Sequence, residues 1–136
     1  MSDAVQISVS TDHDVVLARQ EGRSLAERLG FSKVEATLIA TALSEVARNV
    51  LQYAGEGEVI IEALDNGGRT GVRIEVRDFG PGIPNVELAL QGEPPFGGRA
   101  GLGLPGARRL MDELMIDSEP GRGTMVTMIK WRNDLS

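Results

Sequence analysis

Residues 58–82 read E-V-I-I-E-A-L-D-N-G-G-R-T-G-V-R-I-E-V-R-D-F-G-P-G. Residues 58–64 and 71–78 have the β-branched composition of strands, and the D-N-G-G segment at 65–68 is typical of a tight hairpin turn. Alternate positions of the second strand are apolar and share one face: Val72, Ile74 and Val76. Asp78 continues that alternation. The sequence therefore predicts an antiparallel hairpin whose second strand ends in an inward-pointing carboxylate.

A short strand and two helices are predicted before the hairpin. Residues 6–10 alternate between apolar and polar side chains, as a half-buried strand does, and residues 12–29 have the pattern of an amphipathic helix. Ser32, with Glu35 three residues on, has the pattern of a capping box and begins a second helix over residues 32–53. The apolar residues at helical spacing in this second helix are Val34, Leu38, Ala42, Leu43, Val46, Ala47 and Val50.

One helix and two strands are predicted after the hairpin. Pro105 lies near the start of the helix, whose apolar face is predicted at Ala107, Leu110, Met111 and Leu114. Residues 114–118 are predicted to enter a short strand, and residues 124–131 form the last one. The order β-α-α-β-β-loop-α-β-β predicts a two-layer α/β sandwich, with helices on one face of a mixed, mainly antiparallel sheet.

Composition narrows the functional classes. The chain has 136 residues, a formal net charge of -6, 4% aromatic residues, no cysteine and a single histidine, His13. These values argue against a Cys- or His-rich metal centre, a nucleic-acid groove and a base-stacking platform. Neither a long apolar run nor a leader sequence is visible. We therefore expect a single cytoplasmic domain, residues 1–136, that binds neither membrane nor nucleic acid.

Glycine is the unusual residue in this composition, at 17 of 136 positions against about 7% in typical proteins. Thirteen of the glycines lie between Gly67 and Gly123, among well-patterned segments. Gly80 and Gly82 follow Asp78, and they would let backbone approach a flat ligand whose amino group Asp78 recognises. The same D-x-G-P-G pattern is also typical of a turn that ends a strand.

Glu45 and Asn49 are four residues apart on the second helix, so both side chains project from the same face. That face also carries Leu38 and Ala42, and polar groups at the edge of a core need partners. One hypothesis is a divalent cation held by the Asn49 oxygen, with Glu45 as a general base; such oxygen ligands suit Mg²⁺. The alternative is an ordinary polar pair on a helix.

A glycine-rich segment at residues 97–106 leads into the third helix. Gly101, Gly103 and Gly106 match G-x-G-x-x-G, but no predicted strand precedes them, so a dinucleotide-binding βαβ unit is not indicated. Backbone N–H groups at a helix N-terminus favour anions, and we interpret the segment as a phosphate site. The alternative is a flexible loop.

Four short segments occur in a specific order: E-x-x-x-N at 45–49, D-x-G-x-G at 78–82, G-x-G-L at 101–104 and G-x-G-T at 121–124. This order resembles the four boxes of the GHKL family of ATPases and kinases, which share the Bergerat ATP-binding fold, and the resemblance extends from residue 41 to about residue 127. Further segments look closer to the bacterial stressosome switch kinases and the related anti-sigma-factor kinases: A-R-Q-E-G-R at 18–23, S-E-V-A-R-N at 44–49, G-L-G-L-P-G at 101–106 and R-L-M-D-E at 109–113.

The resemblance implies a role for each matching position. Glu45 would be the general base, and Asn49 would bind Mg²⁺ that bridges the phosphates of ATP. Asp78 would accept from the adenine amino group. The remaining nucleotide contacts would come from Gly80, Gly82, Gly101, Leu102, Gly103 and Thr124. Residues 84–102 would form the ATP lid.

The resemblance also implies a serine/threonine protein kinase. Its substrates would be STAS-domain antagonist or scaffold proteins of a stress-signalling pathway, and it would then bind and activate a PP2C-type phosphatase. Two alternatives share the pocket. One is an anti-sigma factor that phosphorylates its own antagonist, and the other is a non-catalytic binding module gated by ATP.

Overall fold

A computed structural model describes residues 4–80, 103–119 and 121–133. In this part of the chain the elements are β1 (Val5–Val9), α1 (Asp12–Arg28), α2 (Lys33–Tyr53), β2 (Gly57–Asn66), β3 (Arg69–Asp78), α3 (Gly103–Leu110), β4 (Glu113–Glu119) and β5 (Gly123–Trp131). Their order is the predicted one. Among the described residues, no helix combines the length and the apolar character needed to span a bilayer.

The five strands form one sheet in the order β1-β2-β3-β5-β4, and every neighbouring pair is antiparallel. The predicted hairpin is confirmed, because β2 pairs with β3 around the turn at Gly67 and Gly68, both of which have positive φ. β3 lies at the centre of the sheet. Its end at Asp78 is therefore flanked by a strand on each side, which fixes the carboxylate more firmly than an edge strand would.

Side chains at the two helix starts close the first turns of α1 and α2. Thr11 caps α1 and exchanges hydrogen bonds with Asp14, and Ser32 does the same for α2 with Glu35. The Ser32 hydroxyl accepts from the Glu35 backbone N–H at 3.0 Å. The capping box predicted for α2 is thus present, and it satisfies donors that a helix N-terminus otherwise leaves unpaired.

The helices cover one face of the sheet and enclose the core with it, which confirms the two-layer α/β sandwich. α1 and α2 pack closely at Gly22, where an added Cβ would lie 3.0 Å from a methyl carbon of Leu43. The largest fully buried side chains come from both layers: Ile39, Leu43, Ile61, Ile74, Met128, Val9, Val46, Val59, Val72 and Val76.

Two details of the helices differ from the sequence prediction. Val34 is 70% exposed, because the inward stripe of α2 begins at Ala36 and Val34 precedes it by about 200° of helical rotation. Leu114 does not belong to the third helix, which ends at Leu110. It lies in β4 opposite Met128, because strand pairing with β5 takes over at this point.

Candidate functional site

One row of residues crosses four strands at the end of the sheet where β3 terminates. Gly57 of β2 lies opposite Asp78 of β3, Asp78 lies opposite Thr124 of β5, and Thr124 lies opposite Ser118 of β4. Because side chains alternate along a strand, Asp78 and Thr124 face the same side as the buried Val76 and Val126. The predicted inward orientation of Asp78 follows from this register.

The carboxylate of Asp78 is partly buried and is held by backbone. Its Oδ1 accepts from the Gly80 N–H at 2.9 Å, and the Thr124 N–H also hydrogen-bonds the carboxylate. Burial is the largest influence and raises the pKa of Asp78, while the two N–H groups act in the opposite direction. Within the described ranges no cationic side chain lies within ion-pair distance of this carboxylate. Since a carboxylate has about four acceptor positions, it can accept from a ligand as well.

Glycines allow the backbone to close tightly around Asp78. Gly123 has φ +97, and an added Cβ there would lie 2.2 Å from the carbonyl oxygen of Asp78. Gly57, on the other side, would place a Cβ 2.2 Å from the carbonyl oxygen of Arg77. At Gly80 a Cβ would lie 2.6 Å from the Cβ of Ala54. Close packing against the end of α2 therefore requires a glycine at position 80, and this requirement was not predicted from the sequence.

The hydroxyl groups of Thr124 and Ser118 are paired beside Asp78. Their oxygen atoms are 2.9 Å apart, and the Ser118 hydroxyl also donates to the Gly123 carbonyl at 3.2 Å. Thr124 was predicted from the sequence, whereas Ser118 was not. The available signal was the alternation of Leu114, Ile116 and Ser118, which places the serine on the side of the sheet that faces the helices.

Glu45 and Asn49 lie one turn apart on α2, and both are partly buried. The Oε1 of Glu45 is 3.8 Å from the Nη1 of Arg48, a side chain that is 54% exposed. Ala54, at the end of the same helix, contacts the Asp78–Gly80 segment through Gly80. From that end, Asn49 lies about 7.5 Å back along the helix axis and Glu45 about 13.5 Å back, at 1.5 Å per residue.

α3 completes the described part of the site. It begins at Gly103 and packs against α2. The other predicted phosphate contacts, Gly101 and Leu102, lie outside the described residues. So do Gly82 and the predicted lid at 84–102.

A cavity of about 280 Å³ opens at the end of the sheet, with Asp78, Thr124 and Gly123 in its wall. Phe79, which is 80% exposed, lines this cavity and also a neighbouring one of about 410 Å³ on the β1 side. Small-molecule pockets typically have volumes of about 300–1,000 Å³. The wall of the smaller cavity also includes Arg77, Asp117 and Met125, which strand alternation places on the face of the sheet opposite the Asp78 carboxylate, so this cavity opens on the other side of the sheet from that carboxylate.

Known proteins similar to this chain show which family it belongs to. A family model described as a histidine kinase-like ATPase domain matches residues 8–130. The chain belongs to that family. The match confirms the GHKL resemblance, and its span includes every residue selected for the site.

Individual relatives and a solved structure agree with the family. The chain is 43% identical to the serine/threonine-protein kinase RsbT of Bacillus subtilis, with 96% of this chain and 98% of the relative covered. It is 34% identical to an anti-sigma F factor of a Thermoanaerobacter species, with 90% and 89% covered. The mycobacterial sensor histidine kinase MprB superposes with a TM-score of 0.57 at 16% identity, covering 99% of this chain and 100% of that one. This last likeness confirms the Bergerat-type fold alone.

The polar side chains of the site fit the ligands that the family implies. Asp78 offers unpaired acceptor capacity to an amino group in a partly buried position. No group of three or more His, Cys, Asp and Glu side chains in the described residues could hold a metal ion by itself. Asn49 offers one amide oxygen. A site with so few protein ligands suits Mg²⁺, which keeps several waters and takes its other oxygens from phosphates.

Proposed function

We propose that this protein is an ATP-dependent serine/threonine protein kinase with Asp78 at the adenine end of its site and Glu45 at the catalytic end. The observation that carries the proposal is the partly buried Asp78 carboxylate, held by two backbone N–H groups and free of any described cationic partner. Similarity to RsbT over nearly the whole chain supports the kinase activity. Both site residues lie in the matched family region.

Asp78 and Thr124 bind the base in this proposal. Asp78 accepts from the exocyclic amino group of adenine, and its hydrogen bond to the Gly80 N–H fixes the carboxylate in position. Gly80 and Gly82 keep the backbone beside the ring free of side chains. Because the carboxylate is already partly desolvated in the fold, binding an N–H donor requires less further removal of water than at an exposed position.

Asn49 and the N-terminus of α3 hold the phosphate end. The Asn49 oxygen ligates Mg²⁺, and backbone N–H groups at Gly101, Leu102 and Gly103 donate to phosphate oxygens. Bound Mg²⁺ would neutralise the charge that develops on the transferring phosphoryl group. α2 fixes the distance between the two ends, because Asn49 and Ala54 belong to one continuous helix.

Glu45 acts as the general base. It accepts the proton of a serine or threonine hydroxyl on the substrate while the hydroxyl oxygen bonds to the γ-phosphorus and the bond from phosphorus to the leaving ADP oxygen breaks. A base of this kind contributes about 10²–10⁴-fold to the rate. Arg48 forms an ion pair with Glu45 at 3.8 Å.

The substrates we propose are STAS-domain antagonist or scaffold proteins of a cytoplasmic, partner-switching stress response, and the later partner is a PP2C-type phosphatase. Transfer of ³²P from ATP to purified STAS-domain proteins tests this. We expect labelling on Ser or Thr with the wild-type chain and none with Glu45→Ala. Nucleotide-dependent binding without any transferred label would instead identify a non-catalytic module.

A second candidate function is an anti-sigma factor that phosphorylates its own antagonist. The anti-sigma F factor relatives, at 34% identity and 90% coverage of this chain, support it. Both functions use the same nucleotide site, so a capture experiment separates them. Retention of a sigma factor on the immobilised protein would favour this function, whereas retention of STAS scaffolds or a PP2C-type phosphatase would favour the stress-response kinase.

A further inference from the structure

Two cavities adjoin the exposed side chain of Phe79, and they differ in charge. The cavity of about 280 Å³ has side chains of both signs in its wall, among them Arg122, which is paired with Glu119 at 3.0 Å. The wall of the neighbouring cavity, of about 410 Å³, contains the acidic residues Glu56 and Glu58 and, among the described residues, no basic one. The larger cavity therefore carries charge of a single sign beside an aromatic ring.

The larger cavity lies where β1, the start of β2 and the end of α2 meet. Ser8 and Glu58 are opposite each other in the strand register. Val9 and Val59, the next residues along the two strands, are buried in the core. Strand alternation therefore places the Ser8 and Glu58 side chains on the face of the sheet that the helices do not cover. Because Ala54 at the end of α2 also lines the cavity, the cavity extends from that face around the end of the sheet.

The two carboxylates of this cavity have no cationic partner in the part of the chain that the structure describes. Glu58 accepts a hydrogen bond from the side-chain amide of Gln6, which is neutral. Glu56 is exposed and lies between α2 and β2. Since a carboxylate has about four acceptor positions, both residues retain the capacity to bind a charged donor.

Phe79 gives the same cavity an apolar and aromatic surface. Its side chain is 80% exposed, although phenylalanine is among the residues that are most often buried. An aromatic face attracts cationic side chains and packs against apolar ones, and aromatic residues are enriched in protein interfaces. The position of Phe79 beside two carboxylates therefore favours a ligand that is both cationic and apolar.

We propose that this cavity is a docking site for a partner protein, and that it binds a segment in which a lysine or arginine side chain adjoins a large apolar one. The cationic group lies between Glu56 and Glu58, and the apolar side chain packs against the ring of Phe79. Charge selects the partner, since both carboxylates would repel an acidic segment. Such docking requires no nucleotide and goes beyond the proposed kinase activity.

Fluorescence anisotropy in the absence of nucleotide tests the selection by charge. The probes are two fluorescein-labelled peptides, G-L-K-L-R-L-G and G-L-E-L-D-L-G, which share their apolar residues and differ in charge. We expect the wild-type chain to bind the basic peptide at least about tenfold more tightly than the acidic one. Equal affinities, or no binding of either peptide, would overturn the proposal.

A matched pair of double variants separates a local site from general attraction to a chain with a net charge of -6. Glu56→Gln combined with Glu58→Gln should weaken binding of the basic peptide by about fivefold. Glu21→Gln combined with Glu27→Gln removes the same charge from exposed positions on α1 and should leave the affinity unchanged. Equal weakening by both double variants would show that only the net charge attracts the peptide, and it would overturn the proposal.

Substitution of Phe79 tests the apolar half of the site. Phe79→Ala should weaken binding of the basic peptide by about tenfold. Phe79→Leu should weaken it less, because leucine keeps the apolar contact and loses the aromatic face. The side chain is exposed, so both variants should fold, and unfolding curves check this. Unchanged affinity in a folded Phe79→Ala protein would overturn the proposal.

The location of the bound peptide is measured by the NMR chemical shifts of backbone amides. Addition of the basic peptide should shift the signals of residues 8–10, 54–58 and 79, and shifts confined to other residues would overturn the proposal. The double variant at Glu56 and Glu58 should bind Mg·ATP as the wild type does. Absence of ATP binding by the wild-type chain would overturn the proposed kinase function and leave the docking site standing.

Discussion

Two carboxylates on β3, three residues apart and on opposite faces of the sheet, differ in their partners. Glu75 is 6% exposed and lies between two arginines, 3.1 Å from Arg73 and 2.5 Å from Arg77. Burial alone would raise the pKa of Glu75, but the hydrogen bonds and charges of the two arginines outweigh it and leave the pKa lowered. Asp78 is more exposed than Glu75, and yet its pKa is raised.

The difference between the two carboxylates lies in their partners rather than in how deeply they are buried. Glu75 belongs to a satisfied network that includes Arg73 and, through it, Glu62. Asp78 has only backbone N–H partners among the described residues and retains acceptor capacity. Perturbed acids in clefts with unused hydrogen-bonding capacity are candidates for function, whereas paired ones more often stabilise the fold.

The largest expected effect concerns a third carboxylate, Glu45. Glu45→Gln removes the proposed proton acceptor and keeps the size of the side chain, so phosphotransfer should fall by about 10²–10⁴-fold with little change in Mg·ATP affinity. Single-turnover transfer of ³²P and calorimetry measure the two quantities. Glu75→Gln is the matched control and should leave the transfer rate unchanged. Equal rates for Glu45→Gln and wild type would remove Glu45 from the mechanism.

The next effect tests the backbone that encloses Asp78. Gly123→Ala forces a Cβ against the Asp78 carbonyl oxygen at a positive φ, and the free energy of unfolding should fall by about 2–5 kcal/mol. Gly121→Ala is a matched control, because Gly121 also has a positive φ but has open space around it. Gly121→Ala should lower the free energy of unfolding by about 1–2 kcal/mol. Urea unfolding compares the two, and equal losses would show that the contact with Asp78 is unimportant.

Glu75→Gln should lower the free energy of unfolding by about 1–3 kcal/mol, because it weakens hydrogen bonds to two arginines at a buried position. Mg·ATP affinity should be unchanged. Glu62→Gln, which alters a more exposed partner of Arg73 alone, should cost less than about 1 kcal/mol. A loss of nucleotide binding in Glu75→Gln would break the distinction between the two carboxylates.

The smallest expected effect concerns how the free energy of unfolding depends on pH, with opposite signs at Glu75 and Asp78. The pKa of Glu75 is lowered in the fold from its ordinary value of 4.5. Glu75 therefore contributes to the free energy of unfolding above pH 4.5, and this contribution is lost as the pH falls through the pKa of the folded state. The difference in unfolding free energy between wild type and Glu75→Gln should therefore shrink in acid. The pKa of Asp78 is raised from 3.8, so the wild type should lose stability relative to Asp78→Asn as pH rises through the raised value. Unfolding curves at several pH values would contradict this assignment if both differences changed in the same direction.

The sequence predicted the hairpin and the inward position of Asp78, because both depend on the two-residue period of a strand and on local turn chemistry. It did not predict the exposure of Val34, and it placed Leu114 both on the third helix and in the following strand, of which only the strand is correct. Those outcomes depend on which neighbours the packed helices and β5 provide. The contact of Gly80 with Ala54 and the pairing of Ser118 with Thr124 were missed for the same reason, since each joins residues from different elements.

Calorimetric titration of Asp78→Asn with Mg·ATP, together with its unfolding curve, tests the central claim that Asp78 is the binding carboxylate. The amide keeps the shape of the side chain but loses the charge that accepts from the adenine amino group, so we predict at least about tenfold weaker binding. Because the charged form is disfavoured in the fold, the free energy of unfolding at neutral pH should not fall. Unchanged affinity for Mg·ATP in a folded Asp78→Asn protein would contradict the account.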